Sequence, residues 1–167
     1  MKVWRLALRL IVGVLFVGHG TQKLFGWFGG HGLDATAEGF ERMGIRPGKP
    51  NAIAAGVGEA GGGALLAAGL LTPLAGASIT ATMLTAIHRV HWKNGPWVTS
   101  GGYEYNLVLI AAVLASVEAG PGALSLDAVR GHQRKGPMWA LVALLAGGLG
   151  AAGAKLATAP APEPQAE

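Results

Sequence analysis

The chain contains no cysteine. Disulfides, thiol nucleophiles, iron–sulfur clusters and Cys-ligated zinc are therefore excluded within it. Charge is also scarce. Only 13% of residues are charged, against about 25% in an ordinary soluble domain, while 51% are hydrophobic. A soluble fold so poor in charge would struggle to cover its surface, whereas a chain embedded in a bilayer needs charge only in loops and at interfaces. The net charge is +4, but the basic residues stand singly among loops and helix ends. No basic stripe interleaves with aromatics, so nucleic-acid binding is rejected. Basic residues flanking apolar runs suit bilayer anchoring instead. The length of 167 residues fits one domain.

What is present is a series of apolar segments. The first runs from about Trp4 to Leu24, and roughly 20 helical residues cross a hydrocarbon core. No A-x-A-like cleavage site follows it, so it reads as a retained span rather than a signal peptide. Arg9 lies inside it and is expected to snorkel to the headgroups. A loop from Phe25 to Pro50 carries a short amphipathic helix over Asp34–Met43, with Asp34 as N-cap. From Asn51 to Ile87 the only charge is Glu59, and this stretch is too long for one span. Leu71-Thr72-Pro73 divides it into a helical hairpin of Asn51–Leu71 and Pro73–Val90, with Thr72 as cap and Pro73 in the first turn. A fourth span covers Tyr103–Ala119 and a fifth Met138–Leu156. The expected fold is all-α: a polytopic membrane protein with a four-helix transmembrane bundle and a fifth C-terminal transmembrane helix. The expected divisions are a core over 1–128, a basic loop over 129–137, the additional helix over 138–156 and a disordered tail over 157–167. Lys2, Arg5 and Arg9, with Arg130, Arg134 and Lys135, favour a cytoplasmic N-terminus, although Lys23, Arg42, Arg46, Lys49, Arg89, Lys93 and Lys155 oppose them from the other side.

The alternation of spans gathers polar residues toward one leaflet. His19 and Lys23 end the first span, and Glu59 lies about 13 Å into the second. His88, Arg89 and His91 end the third, and Glu104 and Asn106 open the fourth. A charge at bilayer depth costs at least about 2.5 kcal/mol and so faces a bundle interior and pairs. Arg89, Lys23 or a protonated histidine must approach Glu59, or Glu59 must itself be protonated. Ala55, Glu59 and Gly63 share a helix face on which small residues permit close approach. Such a cluster is either an ion pair that locks the bundle or a site for a ligand, proton or cofactor. His19, His88 and His91 could bind metal or haem iron, hydrogen-bond a quinone carbonyl or relay protons. His88 and His91 share a face, but that spacing is common near helix ends, so no metal site is assigned and haem is disfavoured. Trp27, Trp92 and Trp97 read as interface anchors. The glycine-rich stretches lack the context of phosphate loops, and Gly61–Gly63 and Gly147–Gly150 read as helix-packing surfaces.

The ordered set of these residues resembles the DoxX/DoxD family of small bacterial membrane proteins. It comprises Arg9, Gly13 and Phe16 before His19-Gly20-Thr21-Gln22-Lys23-Leu24-Phe25-Gly26, then Glu59 with Gly62-Gly63, and then His88-Arg89. Gly102-Tyr103-Glu104-Tyr105-Asn106-Leu107, Gly120-Pro121-Gly122 and Ser125-Leu126-Asp127 complete it, over roughly residues 5–128. The resemblance implies a four-helix core in the bacterial plasma membrane. It also implies association with quinol oxidation or with oxidoreductase complexes, since some members are described as subunits of such assemblies. The expected function is a subunit of a membrane redox complex with a polar intramembrane site. There Glu59 and His88 would exchange protons, and Lys23 and Arg89 would hold an anion or polarise a carbonyl. The polar cluster would bind a quinone-like headgroup or an enzyme partner, and the partners would be lipid, oxidoreductase proteins and other copies of the chain. The alternatives are a non-catalytic scaffold that recruits soluble partners and a small proton-coupled transporter.

Overall fold

The computed structural model describes residues 3–158. The expected tail falls, from residue 159 onward, outside the described residues. The fold is all-α. Its helices are α1 (Val3–Phe25), α2 (Gly32–Arg42), α3 (Gly48–Ala68), α4 (Thr72–Ala86), α5 (Glu104–Ala119), α6 (Leu126–Val129) and α7 (Pro137–Leu156).

α1 buries a stripe of Arg9, Val12, Gly13, Phe16 and Gly20, the spacing of one helical face. α3 answers with Gly56, Glu59, Gly63 and Leu66. Glycine brings the two backbones together. A Cβ on Gly13 would lie 2.7 Å from the Gly63 carbonyl, and one on Gly63 would lie 2.8 Å from the Phe16 Cβ. Gly61, by contrast, faces open space, so the expected packing surface narrows to its two neighbours on α3.

Gly69 ends α3 in the left-handed region at φ 61°, and the Leu70 amide donates to the Leu65 carbonyl at 2.9 Å. This is a glycine C-cap of Schellman type. The chain turns at once into α4, the central helix, which packs on α3, α5 and α7. Ala75, Ile79, Met83 and Val113 form the main core with Val12, Phe16 and Leu66. α4 continues beyond Ala86 through a π-helical turn over Ile87–His91, so the helical rod from Thr72 to His91 is roughly 30 Å long. α7 lies against α4, where a Cβ on Gly147 would meet the Thr80 Cβ at 2.7 Å.

α2 lies across α3 and α1. Its helix begins earlier than expected, and Asp34 sits in the first turn rather than at the cap. Asp34 instead accepts a hydrogen bond from Lys49 Nζ at 3.0 Å, which ties α2 to the start of α3. Among the described residues two helices, α1 and α7, are long and apolar enough to cross a bilayer, with mean hydropathies of 1.5 and 1.6.

Candidate functional site: a cavity beside the Lys23–Glu59 pair

Gly20, near the C-terminal end of α1, and Gly56 of α3 hold the two helices in backbone contact. Lys23 and Glu59 sit on either side of that contact, and the long lysine side chain closes the gap. Lys23 Nζ donates to Glu59 Oε2 at 2.6 Å, with the lysine side chain 27% exposed and the glutamate side chain 9%. Of the partners open to Glu59, Lys23 is the one the fold supplies. An ammonium has three donors, so donors remain on Lys23 beyond the one directed at Glu59.

The pair borders a cavity of about 510 Å³. Phe16 and His19 of α1, Asn51 and Ala55 of α3, and Asn106 and Leu109 of α5 line it. Phe40 of α2 and the following Ile45 contribute from one side, and Gly150 and Ala154 of α7 from another. Most of the lining is apolar. Its serine and threonine hydroxyls are already committed to backbone carbonyls: Ser78 donates to Gly58 at 2.9 Å, Thr82 to Ile79 at 2.9 Å and Thr85 to Ala81 at 2.8 Å. The Asn106 amide is buried and donates to Met83 Sδ at 3.4 Å.

Of the residues singled out in the sequence, His19, Lys23, Glu59, Arg89, His91 and Asn106 all line this cavity. His88 is exposed and is not in the lining. Glu104 accepts from the Val98 amide at 2.6 Å and so fixes the loop before α5. Arg89 turns away from Glu59 and donates to the Lys155 carbonyl at 3.2 Å and to the Thr158 hydroxyl. It therefore caps the C-terminal end of α7, where helix carbonyls lack internal partners. His91 Nδ1 bonds to the Gly101 carbonyl at 2.7 Å. A carbonyl only accepts, so this nitrogen carries the proton. His19 Nδ1 lies 3.2 Å from Gln22 Oε1 on the same helix. Among the described residues no three His, Asp or Glu side chains gather as a metal-binding set.

A second polar cluster, not evident from the order of residues along the chain, lies at the opposite end of the bundle. Arg9 does not reach outward. It is 3% exposed, and its guanidinium donates to the carbonyls of Pro121 and, at 2.6 Å, Leu124. Arg5 donates to the Ala119 carbonyl at 2.6 Å. Thr72 does not cap α4 with its own side chain. The Asp127 carboxylate does so from across the fold, accepting from the amides of Leu71 and Thr72 and from the Thr72 hydroxyl. Burial pushes the Asp127 carboxyl up, but the Thr72 and Leu71 hydrogen bonds and the charge of Arg134 outweigh it. Its pKa ends below the usual aspartate value. The available signal was Ser125-Leu126-Asp127, in which Ser125 caps α6 through the Ala128 amide at 3.2 Å.

An all-α bundle with an apolar exterior, a paired buried charge and two helices fit to cross a bilayer defines a small helical membrane protein. The chain belongs to the DoxX family, whose model matches residues 4–92. That match spans α1 to the end of the π-helical turn and Trp92, so α5 and α7 lie beyond it. Neither the curated proteins nor the solved structures yield a match to this chain.

Proposed function

We propose that this protein crosses the bacterial plasma membrane several times and binds a quinone-like headgroup in the cavity at Lys23–Glu59, as a subunit of a membrane redox complex. Its spans would be α1, α3, α4 with its π-helical extension, and α5, with α7 as a fifth. What supports the multi-pass reading is the outer surface. Leu10, Ile11, Val14 and Leu15 of α1, Ile53 and Val57 of α3, Leu74 of α4, Leu107 and Val108 of α5 and Leu141, Leu145 and Leu149 of α7 are all exposed. Soluble monomers rarely present so continuous an apolar surface. Trp27, Trp92 and Trp97 are exposed as well and suit the headgroup region.

The observation that carries the binding reading is a largely apolar cavity with one partly buried ion pair in its wall. A flat apolar ring with carbonyl acceptors matches that lining. Lys23 has donors to spare for a carbonyl, and the Asn106 amide lies in the same wall. Glu59 is the lining carboxylate placed to hold a proton beside a bound carbonyl. His88, outside the lining, has no part in this arrangement. Arg89 contributes by holding α7.

The test is purification in mild detergent, with extraction and identification of bound quinone, repeated for Glu59→Gln. Retained quinone in the wild type and its loss from a folded Glu59→Gln protein support the reading. One observation favours a scaffold instead: Arg89, His91 and Glu104 are each engaged with groups of the protein itself. A quinone-free wild type whose Glu59→Gln variant unfolds would decide for that alternative.

A further inference from the structure

The family match ends at Trp92, yet the cavity does not. Gly150 and Ala154 of α7 form part of its wall. α7 is held there by specific devices. Arg89 reaches from the π-helical turn to the Lys155 carbonyl and the Thr158 hydroxyl. Two turns earlier, Gly147 lets α7 approach α4 so closely that a Cβ would collide with Thr80. α1 packs on α3 and α5, and α7 packs on α4 and α5, so α1 and α7 stand on different sides of the cavity. Lys23 on α1 therefore stands at one flank of the cavity and the small residues of α7 at the other. Between them the lining includes the apolar Ala81, Ala86 and Val90, together with Ser78, Thr82, Thr85 and Arg89, whose polar groups are engaged with backbone carbonyls.

A cavity with donors at one flank and a small apolar wall at the other fits an amphiphile. We infer that α7 is the specificity wall of the site, and that the ligand is a headgroup with an apolar tail whose tail runs against Gly150 and Ala154. This rests on the headgroup reading above.

The test compares two probes in lipid nanodiscs, a benzoquinone without a tail and the same benzoquinone with a decyl tail, with binding to empty nanodiscs subtracted. The wild type is expected to bind both. Ala154→Leu places bulk in the wall and is expected to weaken the tailed probe about tenfold while changing the tailless one less than about twofold, as one or two methylenes in a pocket are worth roughly that factor. Gly153→Leu adds the same bulk where a side chain meets open space, and both affinities should then stand. Should Ala154→Leu fail to fold, Ala154→Val makes the same comparison with a smaller expected loss. If the wild type binds the probes and Ala154→Leu changes neither, or changes both alike, α7 is not the specificity wall and the headgroup reading survives. If the wild type binds neither probe, the headgroup reading falls and this inference with it.

Discussion

Asp127 caps α4 through Thr72, a residue 55 positions away, accepting from its hydroxyl at 2.9 Å and its amide at 3.1 Å. The other carboxylate oxygen takes the Leu71 amide at 2.9 Å. One aspartate thus satisfies two of the amides left open at a helix start and favours the positive end of the helix dipole. It also ties the α5–α7 connection to the α3–α4 turn. Asp127→Ala is expected to lower stability by about 2 kcal/mol, since cap removal here also strands buried donors. Thermal unfolding in detergent measures it, and an unchanged midpoint would mean the cap carries no weight.

The same group sets a pH dependence. The folded pKa of Asp127 lies below its ordinary value, so the folded state holds the ionised form more strongly than the unfolded chain does. Its contribution is fully present above the ordinary aspartate pKa of about 3.9 and is lost as pH falls through the lower folded value. Unfolding midpoints of the wild type should therefore drop on acidification from about pH 5 downward. Asp127→Asn should be less stable at neutral pH and should show a shallower acid slope. Parallel curves for the two proteins would assign the acid loss to another group.

Arg9 is expected to behave as a structural grip rather than a lipid-facing charge. Arg9→Met keeps an apolar stem but leaves the Pro121 and Leu124 carbonyls without their donor. A loss of about 2 kcal/mol or more is expected. Arg5→Ala, whose bond to Ala119 is exposed, should cost less than about 1 kcal/mol. Equal effects of the two would contradict the burial argument.

The glycines divide into two kinds. Gly13→Ala and Gly63→Ala force a Cβ into the facing backbone and should cost about 1–3 kcal/mol, as overpacking does. Gly18→Ala and Gly61→Ala face open space and should leave stability unchanged or raise it, since alanine is the better helix former. A denaturation series over these four variants checks the α1–α3 contact.

Much of this was legible along the chain, because bilayer-length apolar runs and turn chemistry are local signals. Leu71-Thr72-Pro73 marks the turn between α3 and α4, and Glu59, alone in a long uncharged stretch, marks the cavity wall. The convergence of His19, Lys23, Glu59, Arg89, His91 and Asn106 on one cavity follows from helix alternation alone. Partners were less legible, because a side chain's choice among several helices depends on packing. Arg89 reaches α7 rather than Glu59, and Arg9 turns inward rather than outward. Asp127 carries no local sign of its role, because the helix it caps is far away in sequence. Glu104 stood near the polar cluster in sequence order, yet its carboxylate is needed by the Val98 amide in the loop beside it.

The Lys23–Glu59 pair is both a fold contact and the centre of the proposed site, and a double-variant cycle separates the two roles. Removing one partner strands a buried or half-buried charge, so Lys23→Met or Glu59→Gln alone should destabilise the protein. Removing both should recover much of that loss. The most direct test is therefore quinone binding to the stable Lys23→Met/Glu59→Gln protein in lipid nanodiscs. A wild-type-like unfolding midpoint with binding weakened at least about tenfold, or about 1.4 kcal/mol, is the expected result. Undiminished binding by the folded double variant would contradict the assignment of this pair as the ligand site.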